Sequence, residues 1–101
     1  MEYQPDFWKL ILQSGDVRVF ASWSGSYLYG PSWKLSSGAT KIEELSEFWR
    51  MPQFTGSVYN LHKEMEGFTG YGKSVLDSLL SQNTEAKLIS IEEALKVVNG
   101  I

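Results

Sequence analysis

Two strand-like segments joined by a short glycine turn dominate the first quarter of the chain. Residues 7–13 and 17–23 are rich in β-branched, aromatic and other apolar side chains, and the turn between them contains Gly15. The side chains predicted to share one face of the second segment are Val17, Val19, Ala21 and Trp23. The pattern predicts a β-hairpin. Pro5 and Gly15 also fit the two ends of a short first helix, which is the alternative.

Three later segments also have the character of strands. Residues 33–37 follow a Gly-Pro turn and end at Gly38, and residues 86–89 form a short apolar run. Residues 57–65 alternate between apolar and polar side chains. The side chains of this segment predicted to face inward are Tyr59, Leu61 and Met65.

Residues 40–51 fit two different structures. Thr40 and Glu43 match a capping box, and the apolar side chains that follow recur at helical spacing until Pro52. The same residues also fit two short strands that turn at residues 45–46. Both alternatives stay open at the level of the sequence.

Two amphipathic helices are predicted near the C-terminal end. Residues 73–82 carry one apolar stripe, formed by Val75, Leu76, Leu79 and Leu80. A second helix begins after Ser90, which forms a capping box with Glu93, and Gly100 is its expected stop.

These elements predict a single α+β domain over residues 1–101. We expect an antiparallel sheet of four or five strands with the two C-terminal helices packed on one of its faces. No apolar run approaches the about 18 residues that a membrane span requires, and residues 1–6 lack the features of a signal peptide. We therefore expect a cytoplasmic protein that makes no membrane contact.

The composition excludes several kinds of functional site. The chain has no Cys and one His, so disulfides, thiolate nucleophiles, Cys-ligated metals and sites with two imidazoles are excluded. Its formal net charge of −3 argues against nucleic acid as a partner, because phosphate neutralisation needs a clustered excess of Lys and Arg. We expect no cofactor and no metal.

The most specific local pattern is GFTGYGKS at residues 67–74, which matches G-x-x-x-x-G-K-[ST] at every position. Glycines such as Gly70 and Gly72 let successive backbone N–H groups converge on phosphate oxygens. Lys73 would then reach the outer phosphates, and the Ser74 hydroxyl would bind Mg²⁺. A predicted strand precedes the motif and a predicted helix follows it. The segment resembles the phosphate-binding loop of P-loop nucleotide hydrolases.

This resemblance covers eight residues and does not extend to the fold. A P-loop enzyme needs a parallel sheet with several crossovers, and we expect too little chain after Ser74 to supply them. The strand before the motif is also too polar to be buried on both faces. Two interpretations are kept. In one, residues 67–74 are a glycine-rich connection with Ser74 near the helix N-cap, and in the other Gly70, Gly72, Lys73 and Ser74 bind phosphate without hydrolysis.

His62 is the only side chain whose unperturbed pKa lies near neutrality. Glu64 stands two residues on, so a His–carboxylate pair on one strand face is a possible general base. No nucleophile can be nominated beside it. We interpret His62 as solvated or structurally hydrogen-bonded, with a small hydrolase as the least favoured function.

An aromatic segment provides the strongest candidate for recognition. Seven of the eleven residues 22–32 are Ser, Gly or Pro, and this stretch also carries Tyr27 and Tyr29. Tyr and Trp offer a large contact area at low entropic cost, while Ser and Gly supply adaptable hydrogen bonding. Trp23 and Trp33 flank the segment, where both also suit the core. The predicted partner-binding residues are Tyr27, Tyr29 and Trp33.

The leading functional expectation is a small non-enzymatic interaction protein, of the bacterial or phage accessory kind, that binds another protein through this aromatic loop. The alternative is a protein that binds a nucleotide or other phosphate-bearing small molecule at residues 67–74 without hydrolysing it. The two hypotheses place the functional surface in different parts of the chain.

Overall fold

Two β-sheets and two α-helices make up the computed structural model, which describes residues 1–25 and 30–100. The strands are β1 (Glu2–Tyr3), β2 (Phe7–Gln13), β3 (Asp16–Trp23), β4 (Ser32–Leu35), β5 (Glu43–Glu44), β6 (Phe48–Pro52), β7 (Val58–His62) and β8 (Ala86–Ile89). The helices are α1 (Gly70–Gln82) and α2 (Ile91–Asn99). A Cα radius of gyration of 12.9 Å is close to the about 13 Å of a compact domain of this length. The predicted α+β class is confirmed.

The strands divide into two sheets of four. The first sheet has the order β4-β3-β2-β8, with antiparallel neighbours throughout. The second sheet has the order β1-β7-β6-β5, and its β1–β7 pair is parallel. The expectation of one antiparallel sheet is therefore corrected to two sheets, one of them mixed.

The β2–β3 hairpin forms as predicted. Gln13 pairs with Asp16, which leaves a two-residue turn at Ser14 and Gly15. Both turn residues have positive φ angles, 52° and 86°, as a tight turn matched to the strand twist requires.

The first sheet is apolar on both faces, and this property arranges the rest of the fold. Leu10 and Val19 are buried on one face, while Ile11 and Phe20 are buried on the other. Each face therefore needs a cover. The second sheet and α2 cover the first face, and α1 covers the opposite one. The prediction that both helices pack on one face is wrong, because the continuous apolar runs of β2 and β3 bury both of their sides.

The main core lies between the two sheets. Its largest fully buried side chains include Trp8, Tyr59 and Met51. The Trp8 indole N–H donates to the carbonyl oxygen of His62 at 2.7 Å, so the polar atom of this ring is satisfied. Asn99, at the end of α2, exchanges two side-chain hydrogen bonds with the backbone of Ile42 and ties α2 to this core.

A smaller core lies between the first sheet and α1. Leu76 of α1 is 1% exposed and packs with Ile11 and Phe20. The partly buried side chains around these three are Leu35, Phe68, Val75, Leu79, Leu80 and Ala86. The predicted apolar stripe of the first helix is therefore the stripe that packs.

The helix ends follow the capping signals in the sequence, with one difference. In α2, Ser90 and Glu93 form the expected capping box, and Gly100 ends the helix in the left-handed conformation. In α1, Thr69 is the N-cap, so the helix begins at Gly70. The prediction of a start at residue 73, with Ser74 near the cap, is wrong.

Residues 40–51 form strands, which decides between the two alternatives. β5 and β6 pair through Glu43–Arg50 and Glu44–Trp49, and the Leu45 N–H donates to the Phe48 carbonyl oxygen at 2.9 Å. Because β6 also pairs with β7, its Met51 side chain enters the core beside Tyr59. Tertiary packing prevails here over the helical spacing.

The strand predicted at residues 57–65 is shorter in the structure. Tyr59 and Leu61 are buried as expected, but Met65 is exposed. A 3-10 turn over Lys63–Met65 follows β7 and ends the alternation of faces. The inward orientation predicted for Met65 is therefore wrong.

Two backbone hydrogen bonds link the parts of the chain that carry the two sheets. The Gly67 N–H donates to the Trp8 carbonyl oxygen at 2.8 Å, and the Phe54 N–H donates to the Gly38 carbonyl oxygen at 2.9 Å. Gly38 has a φ of 144°, and a Cβ there would lie 2.9 Å from the Phe54 ring. Glycine is therefore required at this junction for both its conformation and its size.

In the described ranges, no helix has the length and apolar character needed to cross a bilayer.

Candidate functional site

Trp33 is the member of the predicted partner-binding set that the structure describes. Its ring stacks on the buried Phe20 with a centroid distance of 5.7 Å and an interplanar angle of 19°. The residue remains 38% exposed. Trp33 thus packs on the small core and keeps part of its surface exposed, while its role in binding a partner stays a prediction. Tyr27 and Tyr29 lie outside the described residues.

Trp33 lies on β4, the outer strand of the first sheet. Among the described residues, no strand pairs with the outer edge of β4. Successive strand residues point to opposite faces, so Trp33 lies against Phe20 while Lys34 lies over the Tyr3 ring, with Nζ 5.4 Å from the centroid. Trp33 and Lys34 therefore lie on opposite faces of the first sheet.

The predicted phosphate-binding residues lie within the first turns of α1. The Thr69 hydroxyl accepts from the Gly72 N–H at 2.9 Å, and the Thr69 carbonyl oxygen accepts from the Lys73 N–H at 2.8 Å. Two of the backbone donors that a phosphate would need are therefore bonded within the protein. The N–H groups of Gly70 and Tyr71 remain at the helix N-terminus.

The side chains of this segment point along the helix or into solvent. Lys73 Nζ forms an ion pair with Asp77 one turn further on, at 2.9 Å. Ser74 is exposed, and Gly72 is buried against Ser22 of β3. Gly70, Gly72, Lys73 and Ser74 lie together at the start of α1, in helical conformation and not in a loop that wraps a phosphate. Phosphate binding here stays a prediction.

His62 has a structural role at the end of β7. Its Nδ1 accepts from the Glu64 backbone N–H at 3.2 Å and so caps the 3-10 turn. The ring also packs edge-on against Phe48 at 5.2 Å. The contact with Glu64 involves its backbone N–H, which agrees with the interpretation of His62 as structurally hydrogen-bonded rather than as half of a His–carboxylate pair.

No three His, Asp or Glu side chains within residues 1–25 and 30–100 come together as metal ligands.

A cleft of about 360 Å³ opens between the two sheets, where β3 and β4 face β1 and β7. We name it the inter-sheet cleft and define it by six of its lining residues, which are Tyr3, Arg18, Lys34, Ser36, Ser57 and Tyr59. The hydroxyls of Ser37 and Thr55 lie 3.2 Å apart and join its two walls. Its residues come from four separate parts of the chain.

The inter-sheet cleft is electropositive in a protein whose net charge is −3. Arg18 and Lys34 line it, and no Asp or Glu does. Arg18 is held by hydrogen bonds from Nε to the Ser36 carbonyl oxygen at 2.6 Å and from Nη1 to Gln13 Oε1 at 2.8 Å. Within the described residues, neither cation forms an ion pair with a carboxylate.

Tyr59 places a polar atom in this cleft from an otherwise buried side chain. The residue is 1% exposed, its ring stacks on Tyr3 at 5.0 Å, and its hydroxyl has no hydrogen-bond partner in the described part of the chain. Burial, with a smaller contribution from Tyr3, raises the pKa of Tyr59 to about 12. The hydroxyl therefore keeps its proton at neutral pH and can donate.

Comparisons with protein-family models, with curated proteins and with solved structures find no match. Function must therefore be argued from the geometry of the chain's own surfaces. Two of these surfaces are candidates for binding, namely the outer edge of β4 at Trp33 and the inter-sheet cleft on the opposite face of β4.

Sequence reasoning did not find the inter-sheet cleft. Arg18 interrupts the apolar run of β3, and such a charge inside a strand is the one local signal of the site. Lys34, Ser57 and Tyr59 carry no such signal, because the pairing of β1 with β7 and the packing of the sheets bring them together. Tyr59 was predicted as a core residue, which its ring is.

Proposed function

We propose that this protein is a non-enzymatic binding protein that contacts another protein through β4 and the adjoining aromatic loop. The surface comprises Trp33 together with the loop tyrosines, Tyr27 and Tyr29. The proposal rests most on one observation, which is that a partly exposed Trp33 is held flat on Phe20 at the outer edge of a sheet.

The rigidity of Trp33 supports a role in recognition. A tryptophan already stacked on a buried ring loses little side-chain entropy when a partner covers it. Large aromatic side chains fixed in this way are the residues that most often dominate the binding free energy of a protein interface.

The position of β4 supports the choice of a protein as partner. Ser32, Trp33 and Lys34 are all exposed, and an outer strand has backbone N–H and C=O groups directed away from its sheet. An extended segment of a partner can pair with such an edge while its side chains contact the strand's neighbours. Trp33 would then supply specificity on one face.

A binding function without catalysis agrees with the state of His62. Its Nδ1 accepts a hydrogen bond from the Glu64 backbone and caps the 3-10 turn. The protein's activity would then consist of recognition alone. The cytoplasmic location expected from the sequence stays a prediction.

The test compares the double variant Tyr27→Ala with Tyr29→Ala, and separately Trp33→Ser, with the wild-type protein. Candidate partners are recovered from the native host by affinity purification. The dissociation constant of each partner is then measured by calorimetry with the wild-type protein and with each variant. We expect the double variant and Trp33→Ser each to weaken binding by about thirtyfold or more, as loss of an interface hot spot does.

The matched control is Phe54→Ala, which removes an aromatic ring that is 64% exposed at the junction beside Gly38. This variant should bind like wild type. Circular dichroism confirms that each variant is folded. A partner that binds all of these variants with equal affinity would remove the aromatic surface from the function.

A phosphate-bearing ligand at residues 67–74 is the alternative proposal. Its remaining support is the pair of open N–H groups at the start of α1 and the basic side chain of Lys73. A panel of nucleotides in a thermal-shift assay tests it, and Lys73→Ala should abolish any stabilisation that the panel produces.

A further inference from the structure

We propose that the inter-sheet cleft is a binding site for a phosphate group carried on a small organic molecule. This inference goes beyond the proposed protein-binding surface, because the cleft lies on the face of β4 opposite to Trp33. It depends on Arg18, Lys34, Tyr59 and the hydroxyls between the sheets, and on no residue of the 67–74 motif.

The first argument is the charge of the cleft. Arg18 and Lys34 both line it without a carboxylate partner among the described residues, although the chain carries more acidic than basic groups. Arg18 is also fixed in place, because two hydrogen bonds hold its guanidinium before any ligand arrives. Positive charge that is fixed in advance favours an anion, since little ordering is left for the binding step.

The second argument is the hydroxyl of Tyr59. A phenylalanine would fill the same core volume and stack on Tyr3 equally well. The hydroxyl instead reaches the cleft, where no described residue is bonded to it. A ligand that accepts a hydrogen bond at this position would satisfy it.

The third argument concerns the chemical class of the ligand. The polar side chains that line the cleft are cations and hydroxyls, so the site is rich in donors. Ser36 accepts a hydrogen bond from the Val19 N–H at 2.7 Å, which leaves its own O–H free to donate. A phosphate offers three acceptor oxygens and close to two negative charges at neutral pH, and therefore matches this set better than a carboxylate does.

The size of the cleft indicates that the phosphate is attached to an organic group. A volume of about 360 Å³ lies at the lower end of the roughly 300–1,000 Å³ typical of small-molecule pockets. The stacked Tyr3 and Tyr59 rings offer apolar surface for that group.

Nuclear magnetic resonance titration with inorganic phosphate, and then with ribose 5-phosphate, tests the proposal at constant ionic strength. We expect saturable shifts of backbone amide signals around the cleft, with ribose 5-phosphate binding more tightly. Lys34→Gln and Tyr59→Phe should each weaken phosphate binding about tenfold, the effect of losing one hydrogen bond to a charged group.

Tyr59→Phe keeps the ring in the core and removes only the hydroxyl. The stability of this variant therefore tells whether the hydroxyl has a binding role or a structural one. A hydroxyl that serves a ligand should leave the denaturation midpoint unchanged or raised when it is removed. Lys87→Gln is the matched control, because this exposed lysine on β8 undergoes the same charge change at the far edge of the first sheet. It should retain wild-type affinity.

Three results would overturn the site. These are the absence of saturable shifts at the cleft, equal phosphate affinity of wild type, Lys34→Gln and Tyr59→Phe, or binding of acetate as tight as that of phosphate. None of them bears on the protein-binding surface, which is tested through Trp33 and the loop tyrosines.

Discussion

The start of α1 and the inter-sheet cleft differ in whether a sequence motif marks the residues that could bind phosphate. The first carries a complete eight-residue phosphate-binding pattern, yet Thr69 bonds two of its donors and Asp77 pairs its lysine. The second has no pattern along the chain, yet two cations and the Tyr59 side chain line it.

A contiguous phosphate-binding motif needs a surrounding backbone that leaves its N–H donors open. The glycines at residues 70 and 72 are followed by good helix-forming residues and preceded by a good N-cap. The segment therefore becomes helix. The inter-sheet cleft exists because the packing of the two sheets leaves a space of about 360 Å³ beside Tyr3 and Tyr59.

The largest effect is expected from Leu76→Ala, which tests whether α1 serves mainly as a cover for the first sheet. Leu76 is 1% exposed between Ile11 and Phe20. Its truncation should lower the free energy of unfolding by about 2–5 kcal/mol, measured by chemical denaturation. Leu88→Ala, at a leucine that is 42% exposed, should change it by less than about 0.5 kcal/mol. Equal losses would contradict the packing role of α1.

Smaller changes in the free energy of unfolding are expected from Gly70→Ala and Gly72→Ala, and the two changes should have opposite signs. A Cβ at Gly70 meets open space, so Gly70→Ala should stabilise the protein by up to about 1 kcal/mol through helix propensity. A Cβ at Gly72 would lie 3.0 Å from the Thr69 hydroxyl oxygen and 3.2 Å from Ser22 Cβ. Disturbing that cap should cost about 1 kcal/mol.

Denaturation midpoints of the two glycine variants measure this pair of effects. Stabilisation by both substitutions would mean that the Thr69 cap and Ser22 yield easily. A loss of stability in Gly70→Ala would show that this glycine is needed for its backbone conformation, as a phosphate-binding loop requires.

The smallest effect is expected from Lys73→Gln on phosphate binding. Because Lys73 Nζ pairs with Asp77 on the surface of α1, this variant should bind inorganic phosphate with wild-type affinity. Titration beside Lys34→Gln makes the comparison direct. Loss of binding in Lys73→Gln alone would transfer the ligand to the motif and support the alternative function.

Much of the fold could be predicted from the sequence because its signals are local. The turn at Gly15, the capping box at Ser90 and the apolar stripe around Leu76 each act over a few residues, and the hairpin, α2 and the packed stripe of α1 form as these signals predict. The number of sheets and the placement of the helices on opposite faces depend on long-range pairing. The parallel contact of β1 with β7, which joins Tyr3 to Tyr59, has no local signal.

The same distinction between local and long-range signals applies to the candidate sites. Trp33 could be predicted because it stands beside a segment of unusual composition. The inter-sheet cleft could not, since its residues come together only through the β1–β7 pairing and the contact between the sheets. For residues 67–74 the error concerned the helix start, because Thr69 accepts from the Gly72 N–H as the N-cap and the helix begins at Gly70 instead of near Ser74.

The pairing of β8 with β2 has a consequence for biosynthesis. Leu10 pairs with Ile89, so the β2 edge stays open until β8, more than seventy residues later in the chain, has left the ribosome. During that interval an apolar strand presents unpaired N–H and C=O groups, which is the template that other chains use to aggregate. Chains that stop before β8 should therefore accumulate as insoluble material, and chaperones that shield nascent strands should raise the yield of the full-length protein.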